Sequence, residues 1–333
     1  MKKKLFFTYL FDRAYRGFRK GDLKKIDVVN YAFGLIEDGK LSLKLLEHRD
    51  EIIKEAHSAG VKVVLSIGGW GAGGFSEMAS SKETREEFID SIIFNVKANH
   101  FDGVDIDWEY PTSSAGNIAS SPDDKDNFTL FMEELRVALD NVNPNLILSI
   151  AVSASPHAAK HYYDIPRLNK VLDYLHLMTY DLIDYKTLNT THHTNLYPSK
   201  YSNLSVDEAV KAYINEGMDP QKIIVGLAFF GHLFTTTSEG TNGIGATSEN
   251  RRGIPYRTIV NDYLNKREYK VYLDEDAKAP WIYGNNTFIS YDDPDSIKAK
   301  CEYVLKHNLG GVMNWEYNQD TENSDLINAI KLN

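Results

Sequence analysis

The sequence predicts a (β/α)8 barrel with a small α+β insertion between its seventh and eighth strands. Three observations lead there. Eight short apolar runs alternate with amphipathic stretches. No glycine-rich phosphate loop follows the first run, which counts against the alternative, a doubly wound open sheet. The alternation lapses only once, over the roughly eighty residues between Phe230 and Gly310. Strands that are apolar throughout and separated by helices belong to a parallel sheet covered on both faces. Eight such units close into a barrel whose site lies at the carboxyl ends of the strands.

Taken in chain order, the strand-like runs are LFFTYL (5–10), IDVVNYAF (26–33), VKVVLSI (61–67), FDGVDIDW (101–108), LILSIAVS (146–153), YLHLMTY (174–180), KIIVGLAFF (222–230) and GGVMNW (310–315). Helical periodicity fills LLEHRDEIIKEAHSAG, KETREEFIDSIIFNVKANH, PDDKDNFTLFMEELRVALDNV, SVDEAVKAYINEG and DPDSIKAKCEYVLKHN. Gly60, Gly217 and Gly310 read as helix stops. The long interval contains YRTIV, YKVYLD, PWIYG and NTFISYDD, rich in β-formers and aromatics, and is expected to ride on the top face. The expected division is therefore a catalytic barrel over 1–231 and 291–333, with the insertion over 232–290. One helix, roughly 325–332, follows the eighth strand.

Composition narrows the partners. A net charge of −10 and a pI near 5.5 oppose binding to nucleic acid, whose phosphates need a basic surface. No apolar run approaches the roughly 20 residues of a membrane span. A monomer is expected. The single cysteine, Cys301, rules out an internal disulfide and reads as helix packing. MKKKLFFTYLF imitates a signal peptide but breaks off at Asp12 and Arg13 with no cleavage site, so 5–9 reads as the first strand and Lys2 to Lys4 as a solvated end. Localisation stays open: extracellular if a signal peptide was removed, otherwise cytoplasmic.

The chemistry is concentrated in FDGVDIDWEY (101–110). Side chains two apart in a strand share a face, so Asp105, Asp107 and Glu109 form one column while Val104, Ile106 and Trp108 face the helices. In a barrel that column points inward with Glu109 outermost. Three like charges in line are costly unless protons are shared. A raised pKa on Glu109 and a proton shared by Asp105 and Asp107 are expected. A carboxyl that stays protonated near neutrality suits protonation of a leaving oxygen. A calcium loop is disfavoured because its turning glycine is missing. A solvated acidic edge would not put Val, Ile and Trp on its other face.

DGVDIDWEYP resembles the signature of glycoside hydrolase family 18, the chitinases, with Asp102, Asp105, Asp107 and Glu109 at its acidic positions. The likeness extends through LSIGGW (65–70), MTYDL (178–182), THHTNLYPS (191–199), KIIVGLAFFGHLF (222–234), ISYDDPDSI (289–297) and GGVMNWEYNQD (310–320), and the insertion resembles that of one chitinase subgroup, where it deepens the cleft. The resemblance implies hydrolysis of β-1,4-linked N-acetylglucosamine, in chitin or its oligosaccharides, with no cofactor and no metal. It also implies a substrate-assisted, retaining mechanism. Glu109 would be the acid, Asp107 would orient the acetamide, and Asp105 would buffer the proton from below. Tyr180 would bond the acetamide oxygen and Asp181 the distorted sugar. Trp315 would floor the −1 sugar and Trp70 would be a platform on the leaving-group side. Tyr9, Phe33, Met178, Tyr110, Phe230 and His232 complete the expected substrate contacts.

Departures from the family pattern fall on the seventh strand, where Phe230 and His232 replace the usual Tyr and Arg, and at Tyr185, where a Trp is common. His232 can titrate where an Arg cannot, so binding beyond the −1 sugar is expected to vary with pH. His157 and His161 have a metal-ligand spacing but no third ligand nearby, and His192 and His193 read as a structural loop. Two other readings share the barrel. An endo-β-N-acetylglucosaminidase acting on N-glycans, and more weakly a spore-wall hydrolase, would keep most of the column. A chitinase-like lectin would usually lose the acid that Glu109 supplies here.

Overall fold

The computed structural model describes residues 3–183, 188–202, 204–237 and 242–332. Eight parallel strands close into a barrel: β1 (Leu5–Phe11), β2 (Val28–Glu37), β4 (Lys62–Gly68), β5 (Gly103–Asp107), β6 (Ile147–Ser153), β7 (Tyr174–Met178), β8 (Ile223–Ala228) and β14 (Gly311–Trp315). Closure comes from β1, which pairs in parallel with both β2 and β14. A short β3 (Lys40–Ser42) folds back antiparallel on β2. Helices α1 (Arg49–Ser58), α2 (Phe75–Ala79), α3 (Lys82–Asn99), α4 (Asp124–Val142), α5 (Pro156–His161), α6 (Ile165–Val171), α7 (Val206–Asn215) and α9 (Pro294–Lys306) lie between barrel strands, and α10 (Asp325–Ala329) follows the last. Among the described residues no helix is long and apolar enough to cross a membrane.

Local chemistry explains the helix ends. Ser81 caps α3 and Asp293 caps α9, each in a reciprocal capping box with Thr84 and Ser296. Gly60 and Gly217 take left-handed positions as expected, but after α9 that role falls to Asn308, with φ of 54°. Gly310 serves a different need, because a Cβ there would stand 2.7 Å from the Gln221 carbonyl oxygen. Lys4 also departs from expectation. It is buried, with Nζ donating to Asn308 at 2.6 Å, so the first strand is anchored at its base rather than frayed into solvent.

The seventh apolar run is not one strand. It breaks at Phe229, whose N–H bonds the Trp315 carbonyl at 2.9 Å, and the chain leaves the barrel as β9 (Phe230–Thr236). That strand joins a five-stranded antiparallel sheet with β10 (Ser248–Pro255), β11 (Lys270–Asp274), β12 (Ala279–Gly284) and β13 (Thr287–Tyr291), where it lies second from the edge, between β10 and β13; α8 (Tyr256–Asp262) accompanies the sheet. Its small core gathers Phe234, Trp281, Tyr283 and Phe288.

Alternation along the barrel strands separates two apolar clusters. Outward residues such as Val104, Ile106 and Trp108 join the large layer beneath the helices. Trp108 stacks on Phe75 at 5.4 Å and meets the edge of Phe128. Inward residues Phe7, Tyr9, Val28, Val64, Ile147, Ile224 and Met313 fill the barrel. Ser66, Asp105, Ser149 and His176 interrupt that interior with polar groups, and all four are fully buried.

Candidate active site

Asp105 anchors the acidic column. It accepts hydrogen bonds from the hydroxyls of Tyr9 at 2.8 Å, Ser66 at 2.7 Å and Ser149 at 2.7 Å. His176 Nε2 stands 3.9 Å away and 3.3 Å from the Asn30 amide. Burial pushes the His176 ring down to about 4, so it sits there neutral. Each of these partners comes from a different strand. The sequence reading missed Asn30, Ser66, Ser149 and His176. Their signal is a single polar residue at an inward position of an otherwise apolar strand, in VVNYAF, VVLSI, LILSIAV and YLHLM.

Asp107 has a different environment. It is buried, and its Oδ1 accepts no hydrogen bond from a described residue. Desolvation first, then the charges of Glu109 and Asp105, hold its pKa well above the usual carboxylate range. The acid form of Asp107 is favoured. β4 closes down on this residue: Gly69 N–H bonds the Asp107 carbonyl at 2.9 Å, and a Cβ on Gly68 would lie 2.1 Å from the same oxygen. Gly68 has φ of 122° and Gly69 φ of 93°, so LSIGGW carries its glycine pair because no side chain fits there.

Glu109 follows the end of β5. Burial and then the Asp181 charge outweigh the nearby Tyr110 hydroxyl, and its pKa is raised to about 7. Tyr180 is buried against the column, and desolvation together with the charges of Asp107, Glu109, Asp181 and Asp105 keeps its hydroxyl protonated, a donor. Tyr9, Tyr180 and Phe230 form one cluster, against which Phe33, Met178 and Trp315 pack. Trp315 stacks on Phe33 at 5.6 Å and lies 5.9 Å from Tyr9 and 6.4 Å from Phe11, a contact the sequence reading did not include.

Other nominated residues sit at the rim. Trp70 is 66% exposed, apart from that cluster. Tyr110 stacks on Tyr162 at 6.1 Å. Asp102 stands apart at the base, where it accepts from His57 Nε2 and the Val63 N–H, both at 2.8 Å, and fastens α1 to β4. Tyr185 lies outside the described residues. Cys301 is buried in α9, and burial raises its thiol to about 11, as packing requires.

The loop after β7 sets the far wall. Asp181, with φ of 57°, accepts from His232 Nε2 at 2.5 Å. His193 is more than part of a structural loop: its carbonyl accepts from Leu182 N–H at 2.9 Å, its own N–H bonds Ser290 of β13, and its Nδ1 stands 4.0 Å from Asp181. Asp292 secures the arrangement, accepting from Lys300 at 2.6 and 2.8 Å, from Ser296 and Thr194 hydroxyls, and from the Ala228 N–H. His157 and His161 stack on α5 with centroids 4.4 Å apart, away from this group.

A column of carboxyls with one held protonated to about neutrality, beside a phenolic donor that belongs to an aromatic cluster with an indole packed on it, can deliver a proton to an oxygen leaving a sugar ring. The model of the family described as "Glycosyl hydrolases family 18" matches residues 6–320. Endochitinase 1 of Metarhizium robertsii is 34% identical over 291 residues, 83% of this chain and 65% of its own. A solved structure described as a novel family 18 N-acetylglucosaminidase from Paenibacillus barengoltzii superposes with a TM-score of 0.93 at 34% identity, covering 98% of both chains. A catalytic domain of an Ostrinia furnacalis Group II chitinase, solved in complex with penta-N-acetylchitooctaose, has a TM-score of 0.89 at 26% identity, covering 98% of this chain and 95% of that one. The chain spans 42% of one curated chitinase, from Niallia circulans, and 68% of a chitotriosidase from Mus musculus.

Proposed function

The chain belongs to glycosyl hydrolase family 18, and on that premise we propose that it is a chitinase hydrolysing β-1,4-linked N-acetylglucosamine oligosaccharides. One observation carries the reading: Glu109 keeps its proton to about pH 7 beside Asp107 and Tyr180. Glu109 donates that proton to the glycosidic oxygen. The acetamide carbonyl of the −1 sugar attacks the anomeric carbon, giving an oxazolinium ion and, after water adds, net retention. Asp107 Oδ1, which lacks a donor, takes the acetamide N–H and stabilises the charge that grows on nitrogen. Asp105 buffers the proton of Asp107 from below. Tyr180 bonds the acetamide oxygen, Trp315 lies under the sugar and Asp181 holds a hydroxyl of the distorted ring. Because the nucleophile is part of the substrate, its effective concentration is high and the acetyl group is compulsory.

Phe33, Met178, Phe230, Tyr110 and Trp70 line the path of the polymer, Tyr9 supports the column from inside the barrel through Asp105, and His232 lies on the segment 232–290, which we take as the insertion that walls the cleft. Hydrolysis of an N-acetylglucosamine hexamer, with loss of turnover but not of binding in Glu109→Gln, is the expected result. Binding without cleavage would instead make the protein a lectin, and ready cleavage of fully deacetylated chitosan would reject substrate assistance. The end-to-end match to an N-acetylglucosaminidase structure favours a second reading, exo-release of single sugars. Early products of the hexamer decide it: monomer and pentamer for exo attack, a spread of internal fragments for endo attack.

A further inference from the structure

One side-chain group joins Asp181, which the proposed mechanism uses, to two imidazoles to which that mechanism gives no chemical step. Asp181, His193 and His232 each offer a ligand atom, and these lie within 4.8 Å of one another. They come from separate pieces of chain: the residue after Tyr180, the loop before α7, and β9. We propose that this group is a binding site for a divalent transition-metal ion of the zinc class, and that the ion, by taking Asp181, closes the cleft to sugar.

The ligand set fits such an ion. Two imidazoles and one carboxylate are borderline donors suited to zinc, copper or nickel rather than to magnesium or calcium. His193 is fully buried, and neither ring nitrogen has a well-aligned hydrogen-bond partner; Nδ1 faces Asp181 at 4.0 Å. The His232 ring lies 4.9 Å from that of His193 at 74°, with its Nε2 turned to Asp181. A buried imidazole nitrogen that faces a carboxylate without a well-aligned partner is costly to leave without a ligand. Lys300 is the nearby cation that would oppose the ion, but its charge is matched by Asp292.

Binding requires a small adjustment. The 2.5 Å hydrogen bond between His232 Nε2 and Asp181 must open to about 3.3 Å, the separation of two ligands each about 2.0–2.1 Å from a tetrahedral ion. His232 ligates through Nε2, so the proton that this nitrogen shares with Asp181 leaves it when the ion binds. Three protein ligands leave a fourth position for water. Asp181 is 41% exposed at its side chain, so the ion can enter from the cleft.

Cobalt titration of the whole chain tests this without relying on activity, because four-coordinate Co2+ gives strong visible absorption. The expected result is a one-equivalent cobalt spectrum that Zn2+ displaces. It should weaken by about 100-fold or more in His193→Asn and Asp181→Asn, going by the 10–100-fold cost of losing even an outer partner, and be unchanged in His161→Asn. Asp181→Asn covers the case in which the buried His193 variant fails to fold. An N-acetylglucosamine oligomer added to Glu109→Gln should expel the cobalt. No spectrum, a spectrum lost in His161→Asn but kept in the Asp181 variant, or simultaneous binding of metal and oligomer would each overturn the proposal.

Discussion

Replacing Glu109 with Gln should stabilise the protein, and increasingly so as the pH rises. The folded protein holds the Glu109 carboxyl at about 7, against an ordinary 4.5. A group whose folded pKa is raised contributes its stability fully below the unfolded value and loses it as the pH climbs through the folded value. Between pH 5 and pH 8 that loss comes to about 2.5 kcal/mol, at about 1.4 kcal/mol for each tenfold change in protonation. Gln has nothing to ionise and escapes it. Asp107 adds to the difference in the same direction, because its own pKa is raised partly by the Glu109 charge that the variant lacks. For 333 residues, an unfolding entropy of about 2.1 cal/mol/K per residue converts about 2.5 kcal/mol into roughly 3–4 °C. Scanning calorimetry of both proteins at several pH values measures it. The Tm of the variant minus that of the wild type should widen by that amount from pH 5 to pH 8, while kcat falls by about 10²–10⁴. A difference that stays flat would mean that Glu109 ionises like a surface carboxyl, and the assignment of the proton donor would fail with it.

Three further outcomes follow from the same packing. Wild-type kcat/KM should fall about tenfold per pH unit above about 7, where Glu109 ionises; in Asp181→Asn, which removes a neighbouring negative charge, that limb should move to lower pH. Gly68→Ala should cost about 3 kcal/mol or more and depress kcat, since its Cβ meets the Asp107 carbonyl at 2.1 Å; an unchanged Tm would refute the close approach. Lys300→Met leaves Asp292 buried and unpaired and should cost about 3–5 kcal/mol, with part of the loss recovered when Asp292→Asn is added.

The barrel was legible because its strands are apolar on both faces and its helices carry clear periodicity and caps. The acidic column was legible for the opposite reason: charged residues at period two inside an apolar run have few places to go. Two things escaped. The break at Phe229 is invisible in KIIVGLAFF, since a strand that leaves one sheet for another is apolar on both sides of the bend. The polar floor under Asp105 escaped because Asn30, Ser66, Ser149 and His176 are each unremarkable in their own strands, and only closure of the barrel brings them to one level. His193 has the loop contacts the sequence suggested, through its own N–H and carbonyl.

That polar floor explains how β5 tolerates so many carboxyls. The residues along it meet graded environments. Asp102 at the base has an imidazole and a backbone N–H. Asp105 has three hydroxyl donors and can remain an acceptor deep in the barrel. Asp107, one step higher, has a buried oxygen with no donor and two charged neighbours, so its acid form is favoured. Glu109 at the mouth is desolvated enough to hold a proton to about 7 but open enough to give it up. Hydroxyl donors thus converge on Asp105 and are withheld from Asp107 Oδ1. A ligand that brings an N–H to Asp107 supplies the missing donor and favours ionisation there.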